Sequence, residues 1–170
     1  MYVVSRWYRA PELLLMYDKS SFEVDIWSIG CIFAEMLMPK GQRIPLLKGR
    51  DYLHQLELTM QLVGSQREDD LIGCRKGVEF VKRKYPNVPK KNLRPQLPLA
   101  SDEAMDLLDK MLQFNPHKRI TVQQALEHPY LASCFDGEEP ACEKLNMWYN
   151  ENLMSGNAKR LMYEEIVGSY

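Results

Sequence analysis

Apolar and polar positions along this chain alternate with a helical period through most of its length. Val24 to Leu37, "VDIWSIGCIFAEML", carries apolar residues on nearly every face. A helix that is apolar all round is buried all round, so this one is expected at the centre of the domain. Pro39 and Gly41 end it. Leu53, Leu56, Met60 and Val63 then recur at helical spacing, with Gly64 as the stop. Ser101 opens another helix, with Asp102 and Glu103 in the first turn, where the helix dipole favours anions. Its stripe is Met105, Leu108, Met111 and Leu112, and Asn115-Pro116 closes it. Thr121 and Gln124 have capping-box spacing, with Ile120 and Ala125 placed as the hydrophobic staple around them. That helix ends at His128-Pro129, and a last helix is expected from Asn157 to Val167. The fold class predicted is mainly α, a helical bundle around a buried central helix.

Residues 65–100 break the pattern. They hold eight Lys or Arg between Arg75 and Arg94 against one acid, and four prolines between Pro86 and Pro98. This reads as an insert of short helices and extended loop, exposed and basic. Composition changes the picture little. The chain has 170 residues, is 45% hydrophobic and 26% charged, and has a formal net charge of −1, so nothing global points to nucleic acid or to an anionic membrane. No apolar run approaches the roughly 20 residues of a membrane span. Cys31, Cys74, Cys134 and Cys142 are far apart and form no C-x-x-C pair, which fits reduced thiols in an intracellular protein. His54, His117 and His128 lack metal-ligand spacing, and His128 in "EHPY" reads as a packed or capping side chain.

The chemistry begins with what is missing from these residues. No glycine-rich phosphate cradle, no H-R-D and no D-F-G is present, and no Ser-His-Asp spacing suggests acyl transfer. Yet "YVVSRWYRAPELLL", Tyr2 to Leu15, is dense in aromatic and charged residues and unlike a regular helix or strand. "RWYRAPE" and the "DIWSIGC" that follows it strongly resemble the end of a protein-kinase activation segment and the helix after it. "YLHQL" at Tyr52, "LLDKMLQFNPHKRIT" at Leu107, "ALEHPYL" at Ala125 and "FDGEEP" at Phe135 follow in order, and together they resemble a MAP kinase.

The resemblance implies a partial kinase large lobe over residues 1–131, without the small β-rich lobe, and a C-terminal extension over residues 132–170. It implies that the parts holding ATP and Mg in the intact family lie upstream, so that this chain has no catalytic residue, cofactor or metal of its own. Tyr2 then stands at the tyrosine of the Thr-x-Tyr activation motif. Arg6 and Arg9, four and seven residues on, can pair a phosphate there bidentately, or can be two surface arginines. In the family a carbonyl in the segment matching Val3-Val4 is turned away and held by the arginine matching Arg9. Proline lacks an N–H, so it loses nothing at a site without an acceptor, and the intact kinases prefer it after the target Ser/Thr. Ser5 matches a residue that touches the catalytic Asp and Lys. Glu12 and Arg119 resemble a buried ion pair, and Asp25 resembles the acid that anchors the catalytic loop.

Two partner surfaces follow from the same likeness. Leu14, Leu15, Tyr52, Leu53, Leu56 and Phe80 match a hydrophobic pocket for aromatic docking motifs, with ordinary core packing open at each position. Asp136, Glu138 and Glu139 match an acidic patch for basic docking peptides, or form a solvated turn. The implied partners are protein substrates, an upstream MAP kinase kinase and phosphatases, with no nucleic acid and no membrane, in the cytoplasm and nucleus. "MPKGQRIPLLKG", Met38 to Gly49, departs from the family in its length and in lacking Phe-Pro-Gly. Two functions remain: a fragment of a proline-directed Ser/Thr kinase, or a catalytically inactive docking or decoy module.

Overall fold

The structure, a computed structural model, describes residues 5–17, 22–132 and 134, which belong to one compact unit. Among them there are helices and no strands. The α-helices are α1 (Pro11–Leu14), α2 (Glu23–Leu37), α3 (Tyr52–Val63), α4 (Arg75–Lys84), α5 (Asp102–Met111) and α6 (Val122–Leu126). Single 3-10 turns lie at Arg6–Tyr8, Glu68–Asp70 and Pro116–Lys118. The expected helix from Asn157 to Val167 lies outside the described residues.

Local chemistry accounts for most of the boundaries. Asp51 caps α3 by accepting from His54 N at 2.8 Å, and Ser101 caps α5 by accepting from Ala104 N at 3.1 Å. Thr121 and Gln124 form the capping box of α6, with bonds of 3.2 and 3.0 Å. Gly64 ends α3 at φ 79°, in the half of backbone space that glycine enters without penalty. A side chain there would also strike the neighbouring backbone, because a Cβ at Gly64 would lie 2.8 Å from the Lys90 nitrogen.

The core is built on one side of α2. Ile26, Trp27, Gly30, Cys31 and Ala34 are buried, and Trp27 is the largest wholly buried side chain. Gly30 lets α5 come close: a Cβ added there would sit 3.0 Å from both Met111 Cβ and Leu112 Cδ2. Leu14, Leu15, Leu56, Met60, Leu97 and Leu108 are among the residues that join α2 in the main cluster. A second cluster joins Ile26, Leu107, Met111, Ile120 and Ala125, with Phe33 and Tyr130 rings 5.3 Å apart at its edge.

Two expectations are corrected. The central helix is not buried all round: Ile29 is 48% exposed, Ile32 46% and Met36 62%. These three, with Phe33, Leu107, Met111 and Leu131, line an open apolar trough of about 190 Å³. Nor is the 65–100 insert exposed throughout. Its basic side chains face water, but Leu71, Val81, Tyr85, Leu97 and Ala100 enter the main core, and they anchor the segment. Backbone pairing reinforces them. Cys74 N donates to Leu15 O at 2.8 Å, and Ser65 N donates to Val88 O at 2.8 Å.

An apolar patch of this kind on a helix favours self-association. Size-exclusion chromatography of the chain is expected to show concentration-dependent oligomers. Ile32→Lys with Met36→Lys should shift it toward monomer with little loss of helical circular dichroism, because both side chains already face water. An elution volume independent of concentration in the unmodified chain would contradict this.

Candidate functional site

The stretch from Ser5 to Leu15 holds only a 3-10 turn and the single turn of α1, so its shape depends on what it touches. Pro11 sits at the first helical position of α1, where a missing N–H costs nothing. Ahead of it, each residue of the 3-10 turn is tied elsewhere. Arg6 Nη1 donates to Arg50 O at 2.6 Å. Trp7 Nε1 donates to Gly49 O at 3.0 Å, while the Lys48 ammonium lies 5.4 Å from the Trp7 ring centroid. Tyr8 O accepts from Ser28 Oγ at 2.9 Å, and its hydroxyl lies 3.5 Å from Glu35 Oε2. Burial first, and the Glu35 charge second, raise the Tyr8 hydroxyl above the usual phenol range.

Gln55 holds this arrangement from behind. Its side chain is wholly buried; Oε1 accepts from Gly49 N at 3.1 Å and Nε2 donates to Trp7 O at 3.3 Å. The "RWY" turn and the loop before α3 are therefore clamped by one amide. Sequence reading passed over Gln55. The available signal was a polar residue, with Thr59 one turn on, inside the buried stripe of α3.

The expected ion pair is present. Glu12 and Arg119 are 107 residues apart and meet bidentately, at 2.8 Å from Nη1 to Oε1 and 2.9 Å from Nη2 to Oε2. The two side chains are 1% and 0% exposed. Arg119 also donates to Glu23 O at 2.5 Å, to Gln113 O at 3.1 Å and to Phe114 O at 3.4 Å. All five of its N–H donors are thus used. Its guanidinium also lies 5.4 Å from the Trp27 ring centroid.

A second network, also missed in the sequence, steadies the turn that carries Arg119. Asp70 Oδ1 accepts from Asn115 Nδ2 at 3.1 Å and lies 2.6 Å from Lys118 Nζ. The Lys118 bond first, and the Asn115 bond second, hold the Asp70 carboxyl below its usual range. His128 is packed, as read from "EHPY": its Nδ1 accepts from Tyr130 N at 3.3 Å, which leaves Nε2 to donate to Asp106 Oδ2 at 3.0 Å.

The remaining sequence-derived residues divide plainly. Tyr2, Val3, Val4, Asp136, Glu138 and Glu139 lie outside the described residues. Ser5 is exposed and Arg9 half-buried, each flanking the tied turn. Asp25 is exposed in the first turn of α2, where the helix dipole favours its charge. Of the six docking-pocket candidates, Leu14, Leu15 and Leu56 are core residues, Tyr52 and Phe80 are half-buried against that core, and Leu53 is exposed. Among the described residues, no group of three or more His, Cys, Asp or Glu is placed to hold a metal ion. Burial pushes the Cys31 thiol up to about 12, which leaves it a neutral core group.

Comparison with known proteins agrees with this geometry. The protein kinase domain family matches residues 1–131. Mitogen-activated protein kinase 4 of Arabidopsis thaliana is 44% identical over 170 residues, covering 98% of this chain and 44% of that protein. Extracellular signal-regulated kinase 1 of Dictyostelium discoideum is 42% identical over 171 residues, covering 98% of this chain and 31% of its own length. A solved MAP kinase from Leishmania major superposes with a TM-score of 0.70 at 38% identity, over 80% of this chain and 43% of that one. This chain belongs to the protein kinase family, in its MAP kinase branch. It spans between about a third and a half of the length of these relatives.

Removing one partner of a buried ion pair strands the other charge and commonly costs about 3–5 kcal/mol. Glu12→Gln and Arg119→Met are each expected to lower the unfolding free energy measured by urea titration by an amount in that range. The double variant should cost less than the sum of the two. Additive losses would show that the pair is not coupled.

Asp70 has a depressed carboxyl in the folded chain, so its contribution is complete above the unfolded pKa of about 3.9 and is lost as pH falls through the folded value. Stability measured from pH 6 to pH 2 should therefore fall less steeply below about pH 4 in Asp70→Asn than in the unmodified chain. Identical slopes would remove Asp70 from the acid response.

Proposed function

We propose that this chain is the substrate-recognition and docking portion of a proline-directed Ser/Thr MAP kinase. The intact protein would transfer the γ-phosphate of Mg-ATP to Ser or Thr followed by Pro in protein substrates. It would be activated through Tyr2 and would meet its activating kinase, phosphatases and substrates through docking motifs. The observation that supports this most is the treatment of the "RWYRAPE" stretch. Its aromatic turn is bound by side chain and backbone to Gly49, Arg50 and Gln55, and its Glu12 is locked on Arg119. A surface held this rigidly is suited to present a peptide-reading segment in one conformation.

The alternative, a catalytically inactive docking module, draws on the absence of H-R-D, D-F-G and a glycine-rich loop from the 170 residues. One experiment separates the two. The upstream portion of the Arabidopsis relative is joined ahead of Tyr2 and assayed on peptides that differ only in Ser-Pro against Ser-Ala. The kinase reading expects activity after activation, a strong preference for Ser-Pro, and loss of activation in Tyr2→Phe. Arg9→Ala should erode the proline preference more than the activity. A folded but inactive fusion that still binds an aromatic docking peptide would support the docking module instead.

A further inference from the structure

A groove away from the tied segment has the features of a ligand site. It lies between the end of α3, the residue 90–93 segment and α5, and encloses about 320 Å³. That is the lower end of the roughly 300–1,000 Å³ typical of small-molecule pockets. Its floor is apolar and buried: Leu62, Leu108 and Leu112. Half-buried Leu93 and Met105 line it as well, and Met105 can adjust to what enters.

The wall is held in place. Lys91 N donates to Leu62 O at 3.1 Å, Ser65 N to Val88 O at 2.8 Å, and Val88 N to Ser65 Oγ at 2.6 Å. Gly64 packs directly on the Lys90 backbone. The groove is therefore preformed, and a ligand has little to order on entering.

Charge at the rim is positive in balance, with Lys90 and Lys91 against Asp109. Lys90 is paired with Asp109, which neutralises both. Lys91 is exposed, and among the described residues its ammonium has no ion pair. An apolar hollow with one uncompensated cation beside it suits an apolar body carrying one negative charge. We infer that this groove binds a small amphipathic carboxylate, its apolar part on Leu62, Leu108 and Leu112 and its carboxylate at Lys91. The inference does not depend on the kinase reading.

The test is titration of the full chain with octanoate, octanol and octylamine, followed by NMR of labelled methionine, leucine and isoleucine methyl groups. Octanoate is expected to shift the Met105 and Leu93 methyls and to bind more tightly than octanol, with octylamine weakest. Lys91→Gln should weaken octanoate about five-fold and leave octanol unchanged, as expected for one exposed charge contact. Lys91→Glu should weaken octanoate further, and a circular dichroism melt of each variant should match the unmodified chain, since Lys91 is a surface side chain. Equal affinity for octanoate and octanol, no effect of Lys91→Gln, shifts confined to Ile29, Ile32 and Met36, or no binding at millimolar ligand would each overturn the proposal.

Discussion

A guanidinium taken wholly out of water must find an acceptor for each of its five N–H groups and a counter-charge as well. Arg119 meets that demand with the Glu12 carboxylate and with the carbonyls of Glu23, Gln113 and Phe114. The partners come from α1, the start of α2 and the turn after α5. None of them can move far without leaving a donor unpaired inside the protein. The relative placement of these three parts is therefore set by one side chain, and the tied segment ahead of α1 inherits its position from that pair.

The rest of the lobe serves the same end with weaker bonds. Gln55 clamps the Trp7 turn to Gly49, so α3 and the segment move together. Asp70, Asn115 and Lys118 fasten the insert to the turn that precedes Arg119. Cys74 N, bonded to Leu15 O, closes the opposite side. A stretch with little intrinsic preference for helix or strand is thus held in one shape from several directions, which is what a recognition surface needs and what its local sequence does not supply.

The open side of α2 has the opposite character. Ile29, Ile32 and Met36 are as apolar as the buried Ile26 and Ala34, yet they face water. A pattern apolar on all faces states that every face prefers cover, and it carries no information about which cover is present. The same limit applies at Leu14, Leu15 and Leu56, where a leucine that lines a pocket and a leucine that fills a core look alike in sequence, and the structure places all three in the core.

Much of this protein was legible in its residues. The caps at Ser101 and Thr121, the stop at Gly64 and the stripes of α3 and α5 act over three or four residues, so their chemistry lies in adjacent letters and was readable there. The kinase family was legible because several rare motifs keep their order, and the Glu12–Arg119 pair came with it. Gln55 on Trp7, Asp70 on Lys118, the burial of Leu97 in a proline-rich stretch and the groove beneath Lys91 were not legible. Each depends on residues brought together across tens of positions, and only packing decides whether a polar side chain meets a partner or an apolar one meets water.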